Sequence, residues 1–449
     1  MTAYVLERAW VDGAVHDEVY VEIEGGRFAT VALVRESSHL SGVAEPDNRG
    51  NTRISGYSSS ERIPGLTIPG LANCHSHAFH RALRGRTQQE RGTFWTWREQ
   101  MYAVAGRLDP DSYLALARAT YREMVASGIT AVGEFHYLHH QAGGTPYDDP
   151  NAMGRALQQA ARDAGLRIRI LDTAYLSSGF GEPPVGVQER FSDGTADAWA
   201  ERVQGLDDAG AAIHSVRAVP DDQLRTVVEA AAGKPLHVHL SEQTAENDAC
   251  VAAYGATPTQ LLADHGVLGP LTSAVHATHL TDDDIGHLGA TRTFACFCPT
   301  TERDLGDGVG PSRRLHDGGS RLTLGSDSHA VIDLFEEMRA VELDERLATR
   351  ERGHWSAGEL LGAATVDGHA SLGYDDAGRI AVGARADLVT LDTTTPRTAG
   401  TGRDEHTAVF AATAADVVRV VADGRVVFTR GDEHDIGRDL DDTIGRLCR

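Results

Sequence analysis

The chain has 449 residues, 41% hydrophobic and 24% charged, with a formal net charge of −23 at pH 7. Those proportions belong to an ordinary globular protein, long enough for one large core and a smaller one beside it. The acidic balance argues against a nucleic-acid partner, which needs a basic face, and no apolar run reaches the ~18–20 residues of a membrane span.

The N-terminus carries no basic-then-apolar leader pattern, so a cytoplasmic location is the expectation. Residues 1–65 read as short strands and turns. Tyr4-Val-Leu-Glu and Val19-Tyr-Val-Glu-Ile-Glu are β-like, and Gly25-Gly26 suits a hairpin turn. The stretch from Ser37 to Arg62 is rich in Ser, Gly and Asn and reads as a loop.

Strands and helices alternate from about residue 66 to residue 375. Apolar strands are expected at 67–73, 129–134, 167–175, 212–219, 236–240, 273–277, 293–296 and 321–325. Helical stretches such as Pro110–Ser127, Asn151–Gly165 and Asp221–Ala232 fall between them. Eight strands with intervening helices predict a (β/α)8 barrel. Residues 376–449 turn β-rich again, with a strand in Gly378–Asp392 and a hairpin around Asp423-Gly424. The two terminal segments are expected to join in a small β domain, a β-sandwich beside the barrel.

Chemistry collects where the barrel strands end. An apolar strand running into His75-Ser-His77 places two imidazoles on one side, because strand side chains alternate with period two. The strand at 236–240 ends in His237-Val-His239, with Glu242 three residues further on. The eighth ends in Gly-Ser326-Asp327-Ser-His329. Barrels of this kind carry their sites at these ends, so His75, His77, His239 and Asp327 form a candidate three-histidine, one-carboxylate metal site that suits zinc and also iron, manganese or cobalt. His237 faces the opposite way from His239 and reads as a packed residue. The five cysteines are odd in number and scattered, and Cys296-Phe-Cys298 has no second pair, so it reads as small residues at a strand end.

The order His75-x-His77, His239-x-x-Glu242, His276, Asp327 resembles the amidohydrolase superfamily, specifically its mononuclear deaminase branch, over nearly the whole chain. Binuclear relatives use a carboxylated lysine near the fourth strand. Here Lys234, the only lysine, sits just before the fifth, so one metal is expected. The resemblance implies that Asp327 is both ligand and water base, that Glu242 protonates the leaving nitrogen, and that His276 polarises the substrate or holds the water. His279 reads as structural. All four ligands and Glu242 are present, which argues against an inactive scaffold.

Two arginines on other strand-end segments, Arg98 in an aromatic-rich stretch and Arg217 expected within the fourth strand, suggest a substrate with two carboxylates. The motifs His75-Ser-His-Ala-Phe, Phe94-Trp-Thr-Trp-Arg98-Glu, Glu134-Phe-His-Tyr137-Leu-His-His, His276-Ala-Thr-His-Leu and Thr301-Glu-Arg-Asp-Leu-Gly-Asp-Gly are similar to those of the formimidoylglutamate deiminase family. That family hydrolyses N-formimidoyl-L-glutamate to N-formyl-L-glutamate and ammonia in histidine degradation. The resemblance implies that Arg98, Tyr137, His214 and Arg217 hold the glutamate moiety of a small dicarboxylate amidine, and that the protein is a homodimer. His80 stands where the family commonly has glutamine, so a pH-dependent charge near the substrate is expected there. His139 and His140 read as part of a solvated loop. The alternative reading is a deaminase or chlorohydrolase of the same branch acting on a purine, pyrimidine or triazine.

Overall fold

The computed structural model describes residues 1–34, 60–88 and 94–448, without the side chains of Phe94 and Trp95. The Ser/Gly/Asn-rich stretch read as a loop lies outside the described residues up to position 59, and its last residues, Glu61 and Arg62, open a strand.

Seven strands form one mixed sheet: β1 (Thr2–Val11), β2 (Ala14–Glu24), β3 (Arg27–Leu33), β4 (Glu61–Pro69), then β13 (Leu388–Leu391), β14 (Val417–Ala422) and β15 (Arg425–Thr429). Their order is β15-β14-β13-β4-β1-β2-β3, so the two ends of the chain share a sheet. All neighbours are antiparallel except β1 and β4. Gly25-Gly26 and Asp423-Gly424 both turn with positive φ at each residue, as a two-residue hairpin demands. Asp12-Gly13 makes a third such turn that the sequence reading did not mark.

The other eight strands run parallel in chain order: β5 (Leu71–Ser76), β6 (Ile129–His136), β7 (Arg167–Ala174), β8 (Gly210–Ile213), β9 (Leu236–Leu240), β10 (Thr272–His276), β11 (Phe294–Phe297) and β12 (Leu322–Leu324). Helices intervene, among them Pro110–Ala126, Ala152–Ala164 and Asp221–Ala230, each close to its expected place. This is the (β/α)8 architecture. Small buried side chains fill its interior, including Ala72, Cys74, Val275, Cys296 and Cys298, and all five cysteines are free. No helix among the described residues is long and apolar enough to cross a membrane.

Three expectations need correction. The strand at 67–73 is two strands: β4 belongs to the mixed sheet and β5 opens the barrel. The chain passes between sheets at Gly70, where a Cβ would lie 2.3 Å from Thr130 Oγ1. The end of β4 and all of β5 are buried, so hydrophobicity alone could not reveal the break. The strand at 212–219 stops at Ile213, and a turn follows in which Ala218 and Val219 donate to the Ser215 carbonyl. Val216, Ala218 and Val219 are buried in that turn, which makes it read like a strand. Of Gly378–Asp392, only Leu388–Leu391 is in β13. The C-terminal helix Glu433–Leu447 was not anticipated; it buries a single line of Ile436, Leu440 and Ile444 in an otherwise polar sequence.

The barrel closes where β12 runs out beside β5. Asn73 exchanges two hydrogen bonds with Ser326, donating to its hydroxyl at 2.7 Å and accepting from its backbone at 2.9 Å. Ser326 and Asp327 both donate backbone N–H groups to the His75 carbonyl. The chains approach so closely that a Cβ at Gly325 would sit 2.7 Å from the His75 Cβ. Gly325→Ala is therefore expected to cost about 1–3 kcal/mol of stability by overpacking the seam. Urea unfolding checks this, and an unchanged midpoint would mean that the seam yields freely.

Candidate active site

His75 and His77 stand at the end of β5, His239 near the end of β9, and Asp327 just beyond β12. Their four donor atoms all lie within 4.8 Å of one another. Nε2 of His75 is 3.0 Å from Nε2 of His239, and Nε2 of both His75 and His77 is 3.3 Å from Oδ1 of Asp327. Nδ1 of His77 donates to the Phe135 carbonyl and Nδ1 of His239 to the His214 carbonyl, each at 2.9 Å. A ring whose Nδ1 carries the proton presents a bare Nε2 lone pair, which is how second-layer contacts prepare metal ligands. His77 and His239 each aim such a lone pair into the same cluster as His75 Nε2 and Asp327 Oδ1, so the donor set fits a single divalent ion.

The protonation states agree with that fit. Burial pushes His75 down to about 3 and His239 well below the usual imidazole range, so both are neutral, as ligands must be. Burial favours a protonated Asp327, but its contacts with His75, His77 and His276 outweigh that and hold it ionised. Glu134 on β6 braces the ligand pair from behind, accepting from the Ser76 hydroxyl at 2.7 Å and the Ala78 backbone at 2.6 Å.

A second layer of ionisable groups lies over the donors. His276 ends β10 with Nε2 3.8 Å from both Glu242 Oε1 and Asp327 Oδ2. Its Nδ1 is 3.3 Å from Oε1 of Glu302, which also accepts the Cys298 backbone N–H at 2.9 Å. Burial works against a charged His276, yet Glu242, Glu302 and Asp327 together raise it well above the usual range. Glu242 is pushed up, chiefly by burial and against the pull of His276. The sequence reading gave Glu302 no role, although its motif was quoted. The signal was an acid four residues beyond Cys298, on the helix Pro299–Leu305. Ser241, His276, Ala277, Asp327 and His329 all have positive φ, so non-glycine backbone strain concentrates around these strand ends.

Arg98, His80, Tyr137, His214 and Arg217 line one pocket of about 640 Å³ with His77, His239, Glu242, His276 and Asp327. Trp97, Tyr102, Tyr175 and Phe191 add aromatic walls, with Met101 and Leu305 beside them. Arg98 Nε donates to Tyr102 Oη at 2.7 Å, and His80 Nε2 lies 3.0 Å from Tyr137 Oη. His214 and Arg217 reach the pocket from the loop after β8, not from within the strand. Burial, reinforced by His77, pushes His80 well below the usual range, so it is neutral, contrary to the pH-dependent charge expected there.

His139 and His140 are not solvated. They are 1% and 3% exposed, and both backbone N–H groups donate to the Arg190 carbonyl. With His136 they sit in a buried network outside the pocket, where Arg202 bridges Asp172 and Asp193. His237 is buried, with Nε2 3.4 Å from the Ser371 carbonyl, and His279 lies outside the pocket.

Residues 66–427 match the amidohydrolase family. The chain is 37% identical over 357 residues to the formimidoylglutamate deiminase of Pseudomonas aeruginosa, covering 75% of this chain and 78% of that protein. An amidohydrolase from Brucella melitensis superposes with a TM-score of 0.87 at 29% identity over the full length of both chains. An adenosine deaminase from Xanthomonas campestris with bound zinc shares the fold, with a TM-score of 0.81 at 21% identity over 100% of this chain and 98% of that one. The chain belongs to the amidohydrolase family and is a hydrolase of C–N bonds.

Proposed function

We propose that the protein hydrolyses N-formimidoyl-L-glutamate to N-formyl-L-glutamate and ammonia, with one zinc ion held by His75, His77, His239 and Asp327. The observation that carries the reading is the presence of Arg98 and Arg217 in the same pocket as three of the four donors, His77, His239 and Asp327. In a chain of net charge −23, two arginines in one pocket suit a substrate with two carboxylates. The relative from Pseudomonas aeruginosa supports the same substrate.

A divalent ion at this site supplies Lewis-acid activation, lowering the pKa of water to about 7. The protein's own groups handle the protons. Asp327 turns Oδ1 toward His75 and His77 and Oδ2 toward His276, so Oδ2 can take the water's proton. The water oxygen adds to the amidine carbon, and Glu242, whose carboxyl burial pushes up, passes a proton to the departing nitrogen. The leaving nitrogen gains both hydrogens of the water, the one taken up by Asp327 and the one left on the adduct's hydroxyl, so the C–N bond breaks with loss of ammonia and a formyl group remains on the glutamate nitrogen. The His276 imidazolium faces the reacting centre and offsets negative charge there. Arg98 and Arg217 hold the glutamate carboxylates, with Tyr137, His214 and the neutral His80 as further polar contacts.

The aromatic walls of Trp97, Tyr102, Tyr175 and Phe191 would equally suit a flat heterocycle, so a purine or pyrimidine deaminase is the second reading. Ammonia release from formimidoylglutamate, compared with guanine, cytosine and adenosine, decides between them. The expected kcat/KM for formimidoylglutamate is at least ~100-fold above the others; no release from it would sink the proposal. Asp327→Asn is expected to lower kcat by about 10³-fold or more while the circular dichroism spectrum stays unchanged. Activity within tenfold of the wild type would remove Asp327 from the role of base.

A further inference from the structure

Arg217 meets a carboxylate of the protein itself. Its Nε lies 3.5 Å from Oε2 of Glu246, in the first turn of the helix Thr244–Tyr254. The contact is loose, because Arg217 Nε is buried yet completes no hydrogen bond among the described residues. Arg98 differs, since its Nε donates to the Tyr102 hydroxyl oxygen. Glu246 stands behind Arg217 and does not line the pocket.

We propose that Glu246 is the internal counter-ion of Arg217, and that a substrate carboxylate takes over this arginine only as Glu246 accepts a proton. The inference rests on the dicarboxylate reading above. Two carboxylates sharing one guanidinium in a largely buried place cannot both stay charged cheaply. The substrate carboxylate, open to solvent through the pocket mouth, remains ionised. A proton from solvent goes to a Glu246 carboxylate oxygen, and no heavy-atom bond changes.

Several groups face Glu246. Arg217 approaches from the loop after β8, Glu242 from the loop after β9, His276 from the end of β10, and Cys250 from its own helix. Burial pushes Glu246 up, Arg217 and His276 pull it down, Glu242 adds to the rise, and the balance lies at about 7. Cys250, pushed up to about 12, remains a thiol. The sign follows. A substrate carboxylate beside Glu246 raises it further, so binding takes up a proton. Affinity is complete below about pH 7 and falls as pH rises through that value.

In the metal-loaded wild type, KM for formimidoylglutamate is expected to rise roughly tenfold between about pH 6.5 and 8.5. Glu246→Gln should flatten that rise to within about twofold while leaving the pH dependence of kcat like that of the wild type. An independent arm titrates glutarate, a dicarboxylate with no amidine, by calorimetry at about pH 8 in buffers of different ionisation enthalpy. The wild type should take up close to one proton per glutarate and the variant none. Binding without uptake by the wild type, equal uptake by both proteins, or no glutarate binding overturns the proposal. Glutarate is not turned over, so this arm reads the same whatever the substrate. A failed ammonia assay beside proton-coupled glutarate binding would sink the substrate reading alone.

Discussion

Everything at the open end of the barrel depends on three imidazole nitrogens and one carboxylate oxygen being forced together. Nε2 of His75 and of His239 stand 3.0 Å apart and an Asp327 oxygen lies 3.3 Å from Nε2 of His75 and of His77, a convergence of donors suited to one divalent cation. The fold sustains it through the backbone. The Phe135 and His214 carbonyls set the ring tautomers, Glu134 pins the residues flanking His77, and the Asn73–Ser326 pair locks the seam carrying Asp327. The strained φ angles at His276 and Asp327 are the cost of aiming strand-end side chains inward.

A second constraint is electrostatic. Glu242, Glu302 and Asp327 converge on one imidazole in a buried place, where carboxylates are costly. The His276 charge meets part of that cost, and burial pushes the Glu242 carboxyl up in turn. The same arrangement readies an acid and a base side by side, since environment pushes the two carboxyl groups in opposite directions. Further out, Arg98 and Arg217 give an acidic protein a locally cationic pocket floor, one guanidinium resting on a tyrosine hydroxyl and the other on Glu246.

Much of this was legible in the chain because period-two strands and strand-end histidines follow simple geometry. His75, His77, His239 and Asp327 could be brought together from sequence since each ends an apolar strand. The break at Gly70 was invisible because the end of β4, from Gly65 to Pro69, is as buried as β5, and the turn after Ile213 was hidden because it packs apolar residues inward as a strand would. His139 and His140 looked polar and exposed, but their partners, Arg190 and Asp193, lie about fifty residues away. Glu246 meets Arg217 and Glu302 meets His276 from other elements of the barrel, and only the four-residue step from Cys298 to Glu302 left a local trace.

The central claim is that these four donors hold a single divalent ion. The most direct measurement is metal content per chain, on protein purified without chelators, with X-ray absorption at the metal edge. The account predicts close to one ion, with about three imidazole nitrogens and one or two oxygens at roughly 2.0–2.2 Å. Two ions per chain, less than about 0.2 ion, or a sulfur ligand at roughly 2.3 Å would contradict it.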